Sequence, residues 1–97
     1  MREGRQRLDK WLWFARFART RSLAARLSED GFVRVNGIRA ENPAKGIVIG
    51  DVVTVAAPHA TLAVRVRGLG ERRGPAPEAR LLYEDLAGIP IAVDPLE

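Results

Sequence analysis

The sequence contains no cysteine, which excludes both a disulfide framework and a thiolate metal site. Its only histidine, His59, follows Pro58 in a predicted turn and has no companion ligand, so a metal or general-base role is not expected. The glycine-bearing run GLGERRG, 68–74, matches neither the dinucleotide-binding pattern nor the phosphate-loop pattern. We therefore expect no catalytic residue, no metal and no cofactor.

Long apolar runs are also absent, since no stretch reaches the roughly 18 residues that a membrane span needs. The N-terminal run MREGRQR leads into a segment that is too charged for the apolar part of a signal peptide. These two absences predict a soluble, cytoplasmic protein with no membrane partner.

Lysine is scarce, because only Lys10 and Lys45 of the sixteen basic residues are not arginine. A guanidinium group can hold a phosphate through two parallel hydrogen bonds or stack on a base. The charge is uneven as well: residues 1–40 carry ten basic and four acidic side chains, a net +6, whereas residues 41–97 carry six and eight, a net −2. This distribution predicts an anionic partner at the N-terminal half, and RNA is the first candidate.

The apolar spacing predicts two helices near the N-terminus of a single small domain. One helix is expected from Leu8 to about Arg19, with its apolar positions at Leu8, Trp11, Leu12, Ala15 and Ala18. Thr20 or Ser22 is expected to cap a second helix that Gly31 ends. The apolar face of this second helix is expected to consist of Leu23, Ala24 and Leu27. Residues 1–6 lack periodicity and are expected to form a flexible basic arm.

Alternation of apolar and polar residues predicts strands after the helices. The first is 32–35, which runs into Asn36–Gly37, the pair best suited to a type I′ hairpin turn. Further strands are expected at 38–40, 47–49, 52–56 and 62–66, the last being the final strand. We expect a loop at 68–77, a helical turn at 78–85 and a fraying tail. The predicted fold is α+β: two N-terminal helices packed on a small, mainly antiparallel sheet, with the domain at 7–67 and an appended segment at 68–97.

Two segments resemble those of known proteins. The run RLDKWLWFARFARTRSLAARLSEDGFVRVNG, followed by PAKGIVIGDVVTV, resembles the RNA-binding domain first known from ribosomal small-subunit protein four, the alpha-L RNA-binding motif. The run ERRGPAPEARLLYEDL, 71–86, is similar to the segment that follows this domain in the bacterial ribosome-associated heat-shock protein family. The sequence departs from many relatives at Ala44, where they carry a serine, and the better-known heat-shock members carry a long basic C-terminal extension where this sequence has an acidic, proline-bearing segment up to Glu97.

The resemblance implies that the exposed face of the helix pair and the first hairpin lie against structured RNA. Carried over by position, with Lys45 added from the second run, the expected RNA-binding residues are Arg7, Lys10, Arg16, Arg19, Thr20, Arg21, Ser22, Arg34, Asn36, Gly37 and Lys45. Asp9 is expected to orient a guanidinium group. The family further implies ribosomal RNA and the large ribosomal subunit as partners, including a subunit that still holds a nascent chain on transfer RNA. We expect a monomer, and binding to DNA stays open.

Other interpretations compete with this one. The arginines could form an ordinary solvated helix face, and most of the aromatic residues are needed for the core, with Trp13 as the best candidate to stack on a base. Arg72 and Arg73 could extend the phosphate-binding surface. The chain could instead be an accessory protein that docks a partner through its sheet and 81–86, or the RNA-targeting subunit of a separate RNA-modifying enzyme.

Overall fold

The structure is a computed structural model that describes residues 4–57 and 60–86. In chain order its elements are β1 (Gln6–Arg7), α1 (Leu8–Phe14), α2 (Arg21–Glu29), β2 (Val33–Val35), β3 (Ile38–Arg39), β4 (Gly46–Ile47), β5 (Val52–Ala57), β6 (Ala60–Val66), α3 (Ala76–Ala79), a 3₁₀ turn (Arg80–Leu82) and β7 (Tyr83–Asp85). The larger sheet has the order β3-β2-β5-β6-β7, and β1 pairs with β4 in a separate ribbon. All these pairs are antiparallel, so the α+β prediction is confirmed.

The core lies between the helix pair and one face of the larger sheet. Alternate valines of the central strands point inward, and the apolar side chains of α1 pack against them. This is the arrangement that the two-residue period of a strand and the 3.6-residue period of a helix predict. The buried apolar side chains include Leu8, Trp11, Leu12, Ala15, Ala24, Val33, Val35, Val53, Val55, Val64 and Val66. Leu23 is 46% exposed, so its side chain does not pack in the core as the sequence predicts. Trp13 is half-buried and stacks on Phe14, with ring centroids 5.4 Å apart.

Helix α1 ends at Phe14, about one turn before the predicted end near Arg19. Arg16 adopts a left-handed backbone conformation, with φ of 67°. The amide of Arg16 donates to the Trp13 carbonyl and that of Phe17 to the Leu12 carbonyl, which is the Schellman arrangement for a helix end. The apolar period therefore continued in sequence beyond the point where the backbone leaves the helix.

Helix α2 begins and ends where the sequence predicts. The Thr20 hydroxyl accepts a hydrogen bond from the Leu23 amide at 3.1 Å, so Thr20 rather than Ser22 is the cap. Gly31 has φ of 84°, and the Phe32 amide donates to the Leu27 carbonyl in a second Schellman arrangement. Asn36 and Gly37 both have positive φ, 54° and 83°, as a type I′ turn requires.

Three sequence predictions about the strands and the ends need correction. Gln6 lies in β1 and is not part of a flexible arm. The segment after Lys45 forms β4, which pairs with β1 in the separate ribbon instead of continuing the larger sheet. Strand β6 is not the last, since Tyr83–Asp85 pairs with it as β7 where a helical turn was expected. The predicted turn at Pro58–His59 and the tail beyond residue 86 lie outside the described residues.

Candidate nucleic-acid interface

A buried carboxylate joins the starts of the two helices. Asp9, only 4% exposed, accepts two hydrogen bonds from Arg7, Nε to Oδ1 and Nη2 to Oδ2, each 3.0 Å long. Arg21, the first residue of α2, places Nη2 3.7 Å from Oδ1 of the same carboxylate. Asp9 thus holds two guanidinium groups side by side, and we call these three residues the helix-start cluster.

The arginines of this cluster remain available to a ligand. The side chains of Arg7 and Arg21 are 50% and 42% exposed. Arg7 uses two of its five N–H donors on Asp9, which leaves three for another acceptor. The hydrogen bond to Asp9, and then the charge of Asp9, raise the pKa of Arg7 above its ordinary value. Arg7 is therefore an oriented, permanently charged group at the surface.

The segment before β4 places Lys45 next to this cluster. The amide of Leu8 donates to the Lys45 carbonyl at 2.8 Å, and that of Asp9 donates to the Pro43 carbonyl at 3.0 Å. These carbonyls satisfy amides of the first turn of α1, which has no side-chain cap. The Lys45 side chain is exposed. The first turn of α1 and the segment at 43–45 therefore form one continuous basic surface.

Beyond Lys45 the surface opens into a cleft beside the first hairpin. The cleft has a volume of about 360 Å³, and we call it the hairpin cleft. Its lining residues are Arg5, Val35, Asn36, Ile38, Arg39, Lys45, Gly46, Val48 and Asp51. Three cations face one carboxylate there, so the cleft is a basic site.

Side-chain hydrogen bonds hold the hairpin turn that leads to this cleft. The Asn36 amide group donates to Oδ1 of Asp51 at 3.1 Å, and its oxygen accepts from the Val52 amide at 2.9 Å. Asn36 therefore holds the turn, and its side-chain amide is engaged within the protein. Arg34 projects from the sheet face opposite to the buried Val33 and Val35. Arg34 is thus not brought into the helix-start cluster.

The junction between the helices presents further cations. Arg19 is exposed and forms no ion pair within residues 4–57 and 60–86, and Ser22 is exposed beside it in α2. Arg16 donates through Nε to the Gly74 carbonyl at 2.8 Å, which ties this side chain to the protein. Lys10 places Nζ 5.7 Å from the centre of the Phe14 ring.

The loop at 68–74 is firmly attached to α1, which the sequence did not indicate. The Trp11 indole donates to the Gly68 carbonyl at 2.9 Å, and Gln6 exchanges two hydrogen bonds with Gly70. Arg73 donates to the carbonyls of Trp13 and Ala18 at 3.2 and 3.1 Å. Arg73 therefore holds the junction between the helices instead of extending the phosphate-binding surface.

Sequence reasoning also missed two cations of the hairpin cleft. Arg5 falls in the predicted flexible arm, although the β1 to β4 pairing brings it against Gly46, where a Cβ atom would overlap the Arg5 side chain. Arg39 is not among the predicted RNA-binding residues, although it stands directly opposite Arg34 in the β2 to β3 pair. The Asn36–Gly37 turn could have predicted the position of Arg39, because a hairpin pairs the residues that flank its turn. No local sequence pattern predicts the position of Arg5.

Comparisons with known proteins agree with this architecture. The S4 domain model matches residues 6–53, which include both helices, the first hairpin and the start of β5. A helix pair and a hairpin that carry an arginine-rich surface, on this domain, define a protein of the S4-domain class.

The relatives identify the family within this class. Heat shock protein 15 of Escherichia coli strain K12 is 44% identical over 81 residues, which cover 84% of this chain and 60% of the relative. The homolog from Aeromonas salmonicida is 47% identical over 79 residues, 81% of this chain and 59% of the relative. The solved Vibrio cholerae heat shock protein 15, described as trimeric, has a TM-score of 0.81 and 43% identity, over 87% of this chain and 84% of that one.

The chain belongs to the heat shock protein 15 family, so the resemblance seen in the sequence is confirmed. It spans 60% of the length of the Escherichia coli relative. Within the described ranges, no group of His, Asp or Glu side chains could hold a metal ion, and no helix is long and apolar enough to cross a membrane.

Proposed function

We propose that this protein binds structured ribosomal RNA through the helix-start cluster, the helix junction and the hairpin cleft, and that it does so without catalysis. The observation that supports the proposal most strongly is the pair of guanidinium groups that Asp9 orients at the starts of α1 and α2. Free N–H donors on these groups suit phosphate oxygens, which accept bidentate hydrogen bonds. We expect the binding to take place in the cytoplasm.

The family suggests the particular partner. We infer that the RNA belongs to the large ribosomal subunit, and that a subunit still carrying a nascent chain on transfer RNA after aborted translation is a preferred target. Recognition would depend on RNA shape, because the deep major groove of A-form RNA excludes side chains. The name shared by the relatives, heat shock protein 15, supports a role in the stress response.

A salt titration tests the RNA-binding surface. Because each phosphate contact releases counterions, the logarithm of the affinity for large-subunit RNA should fall linearly with the logarithm of salt concentration, with a slope of about −0.7 to −0.9 per contact. Arg19→Glu should weaken binding and reduce the slope by about one contact. Arg80→Glu is the matched control, since Arg80 is also exposed and forms no ion pair among the described residues. A salt-independent affinity, or equal losses in the two variants, would contradict the proposal.

Isolated subunits test the partner. Sedimentation with large subunits, small subunits and large subunits that carry peptidyl-transfer RNA should recover the protein mainly with the last of these. Equal recovery with both subunits would show that the protein binds RNA without the preference we infer.

The oligomeric state can be measured on the protein without RNA. The sequence predicted a monomer, whereas the Vibrio cholerae relative is described as trimeric. Light scattering at several concentrations should give 10.7 kDa for a monomer. A mass three times larger would mean that this chain assembles as that relative does.

Docking of a protein partner is a second candidate function, which one observation favours. Leu81 is 75% exposed and lies in the segment predicted to dock. If protein contacts dominate, nuclease treatment of a lysate should leave the complex intact, whereas binding through RNA should be lost.

A further inference from the structure

The hairpin cleft combines an apolar wall with a basic rim. Val35, Ile38 and Val48 contribute apolar side chains, and Arg5, Arg39 and Lys45 contribute cations. Ile38 is 73% exposed and Val48 is 38% exposed. Such exposed apolar surface next to cations is suited to a ligand that is flat and apolar on one part and anionic on another.

The charged groups of the cleft differ in their availability. Both oxygens of Asp51 are engaged, because Oδ1 accepts from the Asn36 amide group at 3.1 Å and Oδ2 accepts from the Val48 amide at 3.0 Å. Arg39 pairs with Glu41 at 3.0 Å. The side chains of Arg5 and Lys45 form no hydrogen bond or ion pair within the described ranges. Two unpaired cations therefore face an incoming anion, while the nearest carboxylate is already bound within the protein.

The position of the cleft relates it to the proposed RNA surface. Lys45 lines the cleft, and its carbonyl accepts a hydrogen bond from the first residue of α1. An RNA whose phosphates lie on the helix-start cluster would therefore have a neighbouring nucleotide within reach of the cleft. In duplex RNA the base faces are stacked and hidden, so only an unpaired nucleotide could place its base against Ile38.

We propose that the hairpin cleft takes one unpaired nucleotide of the bound RNA. The base lies against Ile38 and Val48, and the adjoining phosphate lies between Arg5 and Lys45. Contact with the face of a base carries little sequence preference, so the cleft selects unpaired nucleotides without reading their identity. This inference rests on the proposed RNA binding and adds a structural preference to it.

Two RNA probes and three variants test the inference on the full chain. One probe is a hairpin whose loop contains a single 2-aminopurine, and the other is a duplex of equal length with the same base paired. Wild-type protein should bind the hairpin more tightly and change the fluorescence of its 2-aminopurine. Ile38→Ala should weaken hairpin binding about fivefold, because the side-chain atoms that cover the apolar face of the base are removed, and leave duplex binding unchanged. Ile49→Ala is the matched control, since Ile49 is 59% exposed and does not line the cleft.

The third variant tests the phosphate contact. Lys45→Gln should reduce the salt dependence of hairpin binding by about one contact. When Ile38→Ala is added to Lys45→Gln, it should change the 2-aminopurine fluorescence as it does in the wild-type protein. Equal affinity for the two probes, or equal effects of Ile38→Ala and Ile49→Ala, would overturn the inference while leaving RNA binding intact. The same holds if an acidic peptide displaces the hairpin at similar concentration. If neither probe binds in a salt-dependent way, the proposed RNA binding itself fails.

Discussion

Asp9 shows how a single buried carboxylate can organise a basic surface. It is 4% exposed, whereas both of its arginine partners are near half exposure. The hydrogen bonds from Arg7 and the ion pair with Arg21 compensate the cost of removing the carboxylate from water. The arginines in turn lose side-chain freedom before any RNA binds, which lowers the entropic cost of the complex.

Replacement of Asp9 tests this arrangement. Asp9→Asn keeps the volume but removes the charge, so we expect the free energy of unfolding to fall by about 1–3 kcal/mol. RNA affinity should also fall, because Arg7 and Arg21 are no longer held in position. Urea denaturation and RNA titration measure the two effects, with Asp30→Asn as the exposed control, expected within about 0.5 kcal/mol of wild type. Unchanged RNA affinity in a destabilised Asp9→Asn would mean that the carboxylate only supports the fold.

At the scale of elements, the loop at 68–74 is part of the helix junction. It binds α1 through Trp11 and Trp13, and it binds the residues on either side of α1 through Gln6 and the Ala18 carbonyl. Gly70 permits this contact, since a Cβ atom there would lie 2.5 Å from Phe14 Cδ2. The segment that follows the S4 match at 6–53 therefore sets the geometry of the proposed RNA surface.

Substitution of two adjacent arginines in this loop distinguishes a side chain that holds the helix junction from one that only adds charge to the surface. Arg73→Ala removes two hydrogen bonds from a charged donor and should lower the free energy of unfolding by about 1.5–3 kcal/mol. Arg72→Ala is the matched control, because Arg72 is 67% exposed and pairs only with Glu78 at the surface, a contact worth about 0.2–1 kcal/mol. Thermal or urea unfolding of both variants makes the comparison. Equal losses would show that the loop does not hold the junction.

For the whole molecule, the arginine-rich composition predicts a binding that does not respond to pH. Guanidinium groups keep their charge in proteins, and the pKa of Arg7 is raised further by Asp9. The contribution of the Arg7 pair to stability is therefore present below the ordinary arginine pKa and is lost only as pH rises through the raised value. RNA affinity at fixed salt should change less than about twofold between pH 6 and 9. A steep decrease over this interval would point to a histidine or another titrating group in the interface.

The sequence by itself determined the α+β class, the second helix with its Gly31 end, the Asn36–Gly37 turn and the arginine-rich N-terminal half. These features depend on local rules: apolar period, capping chemistry and turn preference act over a few neighbouring residues. The tertiary structure alone decided the early end of α1 at Phe14, the β1 to β4 ribbon and the change of residues 83–85 from helical turn to strand. Each depends on contacts with residues far along the chain, such as Gly74, Ile47 and Val66, and no local pattern encodes such partners. For the same reason Arg5 and Lys45 meet at one cleft only in the folded chain.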